Sequence, residues 1–408
     1  MTRQGVLLAL VLAGLAGPAL AQPAAIPRPA ATRTLVLPFE NAGREPRVFW
    51  LGEGSSVVLT DDLSALGTPV FSREDRLRAF ARLDVPVVAS LTHATAIRLG
   101  QALDAAQVVI GAFELSAGQL TVRARRIRLD TGRIGPEIVD RGPLTDIFGV
   151  YARIARRLAP DSRVTLAEME ESHPPLTAFE VYIKGLLAEA PATRLSFLNQ
   201  ALKLAPAFQR ARIALWHAHA GQNEHQRALA IARQVPAGHR FSRPAQFLAA
   251  TSLLQLSRYQ EAYDAMRLME RDAADPAIDN NLGVVQMRRP ISTPGGPALS
   301  FFEEARRLDP ADADILFNAG YAYWLAGDVI SATYWLREAV RRRSDDAPAH
   351  YVLGVALQAA GNAAEAAREK EAARRLSTEL AEWDAKQAGA NRAPPGLERV
   401  KTELSVAP

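Results

Sequence analysis

The 408-residue chain contains no cysteine. That excludes disulfides, thiol nucleophiles, cysteine-ligated zinc and a lipid-modified N-terminal cysteine. A dominant sign of charge is also lacking. The 48 Lys and Arg nearly balance 44 Asp and Glu, for a formal net charge of +4, which gives no argument for nucleic acid as a partner. No long apolar run follows residue 21, so no membrane-spanning helix is expected beyond the N-terminus. Catalytic signatures are missing too: there is no Gly-x-Ser-x-Gly, no Gly-x-x-x-x-Gly-Lys-Ser/Thr and no His-Glu-x-x-His. The sequence therefore predicts a protein that is not an enzyme and holds neither cofactor nor metal.

What is present begins with "MTRQGVLLALVLAGLAGPALAQ". One cation, Arg3, precedes an apolar run, and Ala19-Leu20-Ala21 closes it as a small-x-small cleavage site. This is the layout of a secretory signal peptide over residues 1–21, cut after Ala21. The expected location is periplasmic or secreted, with an uncleaved anchor as the alternative. Residues 22–32, rich in Pro and Ala, read as a linker.

Residues 33–159 mix strand and helix signals, predicting a small α/β domain. "TLVLPFEN" holds a buried strand over Leu35, Val36 and Leu37. "GEGSSVVLTDDLSAL" reads as a helix starting at Ser55, with "GEGSS" as its N-cap. "TPVFSREDRL" reads as a second strand and "LTHATAIRLGQALDAA" as a second helix. "QVVIGAFELSAGQLTVRARRIRLDTGRI" gives two strands around a turn at 116–119, with a third near 134–139. "DIFGVYARIARRLA" closes the segment as a helix with Ile147, Val150, Ile154 and Leu158 in phase. This ordered set of blocks resembles the TolB N-terminal-like domain. The family's usual Asp-Gly-Leu after the first strand is Glu53-Gly54-Ser55 here. The resemblance implies that tetratricopeptide repeats follow, as they commonly do in bacterial relatives.

The second half repeats itself. "NAGYAYWLAGDVISATYWLREAVRRR" from residue 318 and "YVLGVALQAAGNAAEAAREKEAARRL" from residue 351 align at an offset of 34, which pairs Gly320 with Gly354, Gly327 with Gly361, Ala332 with Ala366, and Ala339 with Ala373. That period with small residues at fixed places is the tetratricopeptide (TPR) signature, two antiparallel helices per unit. Gly283 opens an earlier unit carrying about three extra residues in "RRPISTPGG", and looser units reach back to residue 178. The prediction is an all-α solenoid of about six hairpins over residues 178–377, joined to the α/β domain by a linker at 160–177. Residues 378–389 are expected to end a capping helix that runs on unbroken, and residues 390–408, small, charged and Pro-bearing, are expected to be a flexible tail.

Few residues invite chemistry. His217, His219 and His225 crowd one stretch, but positions two apart on a helix point about 200° away from each other, so His217 and His219 cannot share an ion. Arg123, Arg125, Arg126 and Arg128 on one strand either bind anions or guard an exposed hairpin, and the second reading is preferred. Arg341, Arg342 and Arg343 suit a helix C-terminus. What remains is the concave wall of the array. By resemblance to other TPR proteins it is lined by the second, fifth, ninth and twelfth places of each first helix. This gives Phe317, Tyr321, Trp324, Tyr351, Phe247, Asn280 and Met287 as candidate partner-binding residues, with Asp314 at a second place. Packing against a neighbouring repeat is the competing role for the aromatics. The family's Lys/Asn clamp for a terminal carboxylate is absent, since Phe317 and Tyr321 hold its places.

The reading is an exported, non-catalytic scaffold or adaptor that binds protein or peptide segments, with envelope proteins as the expected partners. One alternative is an oligomerising accessory of a cell-envelope complex, with the repeats as a spacer. An envelope hydrolase or a small-ligand sensor ranks lower.

Overall fold

A computed structural model describes residues 33–87, 91–162, 173–289, 297–387 and 390–405. The signal segment and the 22–32 linker lie outside the described residues, as do residues 163–172 of the expected interdomain linker.

The first domain is a five-stranded mixed sheet covered on both faces. Strands β1 (Thr34–Val36) and β2 (Glu40–Asn41) run parallel to β3 (Gln107–Ser116). Antiparallel β4 (Gln119–Arg128) and β5 (Ile138–Pro143) complete the order β1-β3-β4-β5. Ala117 and Gly118 both have positive φ, 49° and 78°, which matches the twist of a two-residue hairpin at the predicted turn. Alternation along the strands sorts the two cores. Val109, Phe113, Val122 and Ala124 pack under α1 (Leu51–Ala65) and α4 (Ile147–Leu158). Leu35, Leu37 and Val108 pack under α2 (Arg73–Arg82) and α3 (His93–Ala102).

Two local expectations are corrected. "GEGSS" is no N-cap: α1 begins at Leu51, and Ser55 lies inside it, donating from Oγ to the Leu51 carbonyl at 2.5 Å. Burial of Trp50 and Leu51 pulls the chain into the helix four residues early. "TPVFSREDRL" forms one isolated bridge, Thr34 to Val70, because Ser72 and Asp75 make a capping box that starts α2 directly behind it.

Helical hairpins follow. They pair α5 (Leu176–Leu187) with α6 (Pro191–Leu204), α7 (Gln209–Ala220) with α8 (His225–Ala232), and α9 (Ser242–Gln255) with α10 (Tyr259–Asp272). Next come α11 (Pro276–Arg288) with α12 (Ala298–Leu308), α13 (Ala313–Leu325) with α14 (Val329–Arg342), and α15 (Ala347–Ala359) with α16 (Ala363–Leu376). The repeat glycines hold the helices of a pair together. A Cβ on Gly283 would lie 2.5 Å from the Phe302 ring, and on Gly320 it would lie 2.7 Å from Leu336 Cγ. On Gly354 it would lie 2.7 Å from Lys370 Cγ. Gly327 and Gly361, both at φ 82°, turn the chain between paired helices. Ala332, Ala339, Ala366 and Ala373 are buried where the helices cross.

The two parts share a core. Phe179 of α5 meets Trp50 at 6.1 Å and Phe148 at 5.2 Å between ring centroids, and Arg210 of α7 forms an ion pair with half-buried Asp61 of α1. At the far end the expected unbroken capping helix is two helices. Ser377 ends α16 and caps α17 (Thr378–Lys386), so the chain turns back, buries Leu380 and covers Tyr351. Among the described residues no helix is long and apolar enough to cross a membrane.

Candidate functional site

The concave wall of the array is occupied, and the occupant is the chain's own C-terminal segment. The expectation of a flexible tail at 390–408 is therefore corrected for residues 390–405, while 406–408 lie outside the described residues. Composition argued for mobility because the segment has few apolar side chains of its own. Its order comes from backbone and charge partners supplied by distant repeats.

Asparagines hold the backbone. Asn318 of α13 donates from Nδ2 to the Arg399 carbonyl and accepts the Arg399 amide at Oδ1, both at 2.7 Å. Asn281 of α11 makes the same pair with Lys401, both at 2.8 Å. Asn280 adds a second donor to the Arg399 carbonyl at 2.9 Å and accepts from Asn318 at 2.8 Å. All three asparagines are fully buried. Two side-chain amides thus grip alternate residues of an extended strand, as a neighbouring strand would.

Side chains supply the rest. In an extended chain residues two apart face the same way, so Arg399 and Lys401 descend together into an acidic floor. Arg399 reaches Asp314 at 3.1 Å and Asp346 at 2.5 Å, with its guanidinium 3.9 Å from the centre of the Phe317 ring. Lys401 Nζ lies 2.7 Å from Asp312 and 2.8 Å from Asp314. Arg343 joins Asp314 at 2.8 Å. Burial alone would raise the Asp314 carboxyl, yet Lys401, Arg343 and Arg399 together hold it well below its ordinary value. Burial opposes the charge on Lys401 as well, and Asp312 and Asp314 overcome it, so its ammonium titrates above the usual range.

Intervening residues point elsewhere. Glu398 pairs with Arg288 at 2.6 Å, and Val400 and Leu404 rest on the core around α11. Upstream, Tyr321 donates to the Pro394 carbonyl at 2.9 Å, Asn391 donates to the Val355 carbonyl at 2.8 Å, and Leu397 packs beside Phe317 and Tyr321. Downstream the segment reaches the α/β domain, where Ser72 Oγ donates to Glu403 at 3.0 Å.

The predicted groove residues therefore divide. Phe317, Tyr321 and Asn280 touch the segment directly. Met287 and Trp324 pack half-buried beside the groove cores. Phe247 is fully buried between repeats, and Tyr351 donates to Asp384 of α17 at 2.9 Å, so both serve packing. Sequence reasoning missed Asn281, Asn318, Asp312 and Asp346. The signal was available for the asparagines: each stands two residues before a repeat glycine, Gly283 and Gly320, whereas the equivalent places hold Leu248 and Val352. Elsewhere the alternatives stay plain. His219 pairs with Glu224 at 2.7 Å, and the β4 arginines Arg125 and Arg128 pair with Glu137 and Asp130. No cluster of ligating side chains able to hold a metal occurs among the described residues.

No family model and no curated protein matches this chain. Solved structures do match part of this chain. YrrB, described as a TPR protein with an unusual peptide-binding site, is 20% identical over 46% of this chain and 97% of its own, with a TM-score of 0.34. The Cut9-Hcn1 assembly of the APC/C is 17% identical over 50% of this chain, which spans only 42% of that one, with a TM-score of 0.43. MamA from Desulfovibrio magneticus RS-1 is 16% identical over 52% of this chain and 95% of its own, with a TM-score of 0.28. These are TPR proteins. Here the repeats rest on their own geometry: antiparallel pairs, glycine at the helix crossing, and a 34-residue step between the last two units.

Proposed function

We propose that this protein is an exported, non-catalytic interaction scaffold whose repeat groove binds an extended segment of another protein. The observation that carries the reading is the paired grip of Asn281 and Asn318 on the backbone of residues 399 and 401. Side-chain amides that bind both N–H and C=O of a strand are the means by which a surface holds an unfolded peptide whatever its sequence. The secretory signal supports export and hence envelope partners. The block order of residues 33–159 supports a TolB-N-like domain, which fixes the first repeats through the shared core.

The test is affinity capture from an envelope extract with the full chain and with Asn281→Ala/Asn318→Ala, after both are shown to melt alike. A protein held by the parent and lost by the variant supports the groove as the working site. Identical captures by both overturn it.

A further inference from the structure

We propose that the groove selects extended partner segments carrying two cations two residues apart, Arg-x-Lys in type, and that the C-terminal segment is a built-in competitor for them. The proposal rests on the peptide-binding reading above and names the ligand and the control of that site.

The argument starts from the floor of the groove. Asp312, Asp314 and Asp346 converge there, and among the described residues the one cation that the repeats themselves bring to these acids is Arg343, 2.8 Å from Asp314 and 3.8 Å from Asp346. Asp346 is buried, and its Oδ2 finds no hydrogen-bond donor even with Arg399 in place. Two more positive charges are needed to neutralise the floor, and Arg399 and Lys401 supply them. Their spacing follows from the grip above them. Because Asn318 holds residue 399 and Asn281 holds residue 401, both side chains face the same wall. A ligand with one cation, or with two adjacent in sequence, cannot place both charges on the acids while keeping the asparagine pairs. The ring of Phe317 under Arg399 favours a planar guanidinium at the first place, and the compact Lys401 ammonium sits between Asp312 and Asp314 at the second. Val400 between them rests on apolar surface around α11. The preferred ligand is therefore apolar-x-Arg-apolar-Lys, and it needs no free carboxylate, since the chain runs on past Lys401 toward Ser72.

The same features make the segment a competitor. It is joined to α17 by a few residues, so its effective concentration at the groove is on the order of millimolar. A second copy's tail at micromolar concentration cannot match that, which argues for a foreign partner of higher intrinsic affinity over tail exchange between copies.

The probe is a labelled peptide of residues 396–404, GLERVKTEL, titrated by fluorescence anisotropy into the full chain and into full-length Arg399→Glu/Lys401→Glu. Arg399→Gln/Lys401→Gln serves if the first variant does not fold, and a peptide with Arg and Lys replaced by Glu is the control. The expected result is binding to the variant at least about tenfold tighter than to the parent, lost with the control peptide. Equal binding to parent and variant overturns the competitor role and leaves the groove reading intact. Equal binding of both peptides overturns the cation rule in the same way. No binding by a folded variant overturns the groove reading as well.

Discussion

Replacing Asn318 by Ala tests the grip on the segment. The change removes two hydrogen bonds to Arg399, both 2.7 Å, and the donor that Asn280 Oδ1 accepts. A hydrogen bond contributes about 0.5–1.5 kcal/mol net, so the two bonds to the segment amount to about 1–3 kcal/mol. Because about 1.4 kcal/mol corresponds to a factor of ten, docking should weaken about 5- to 150-fold. The Arg399 carbonyl keeps its bond from Asn280, which places the expected value toward the lower half of that range. Amide hydrogen exchange over residues 397–404 measures it, because the Arg399 and Lys401 amides are themselves the donors. Exchange within α4 serves as the internal standard, since Val150, Tyr151 and Ile154 are buried in the α/β domain. The reasoning fails if the segment exchanges at the free-peptide rate in the parent. It fails equally if Asn318→Ala leaves protection unchanged.

Other consequences follow from single contacts. Gly320→Ala puts a Cβ 2.7 Å from Leu336 Cγ and 2.9 Å from its backbone nitrogen, so α13 and α14 must part. A loss of about 1–3 kcal/mol is expected in denaturant unfolding, and an unchanged midpoint would refute the close crossing. Burial, then the nearby Glu74, pushes the Glu403 carboxyl up to about 7. Such a group favours docking below its ordinary value of 4.5 and loses that contribution as pH rises through about 7. Protection at residues 402–404, taken relative to the free-peptide exchange rate at each pH, should accordingly fall between pH 5 and 8 in the parent and change much less in Glu403→Gln. Asp279 is raised to about 7 by burial, with Glu270 and Glu304 adding repulsion. Asp279→Asn should therefore raise the melting temperature at pH 8 more than at pH 5, and the reverse order would contradict the assignment. Protein recovered from the envelope fraction should begin at Gln22 by N-terminal sequencing, and a start at Met1 would refute signal cleavage.

The repeats were legible because their determinants are local and periodic. Gly320 and Gly354 sit where two helix backbones touch, and no other residue type fits there without pushing Leu336 or Lys370 aside. The boundary errors had a common source, tertiary contact overriding a local signal. Trp50 and Leu51 extended α1 ahead of a serine that looked like a cap, and Ser377 broke a helix whose charge pattern ran on smoothly.

The groove was half legible for a different reason. Position within the repeat shows which side chains face inward, and it found Phe317, Tyr321 and Asn280. It gave no information on what they meet, because the partner of Asn318 lies 81 residues away at Arg399 and that of Asn281 lies 120 away at Lys401. A segment such as "PPGLERVKTEL" has the composition of a mobile tail when read alone, since its stability lies wholly in the surface that receives it. The acids of that surface carry the missing information. Asp312 and Asp346 cap α13 and α15, accepting from Asp314, Ile315 and Ala349 amides, and either would pass as an ordinary helix start. Only the cations above them show the second use. A cap carboxylate turned toward a groove is already fixed in place by its helix, so it meets an incoming Arg or Lys without losing further side-chain freedom. Here Asp312 and Asp346 start successive units, and they meet Lys401 and Arg399, two residues apart on the segment, so the step between units sets the spacing at which charge along the extended chain is matched.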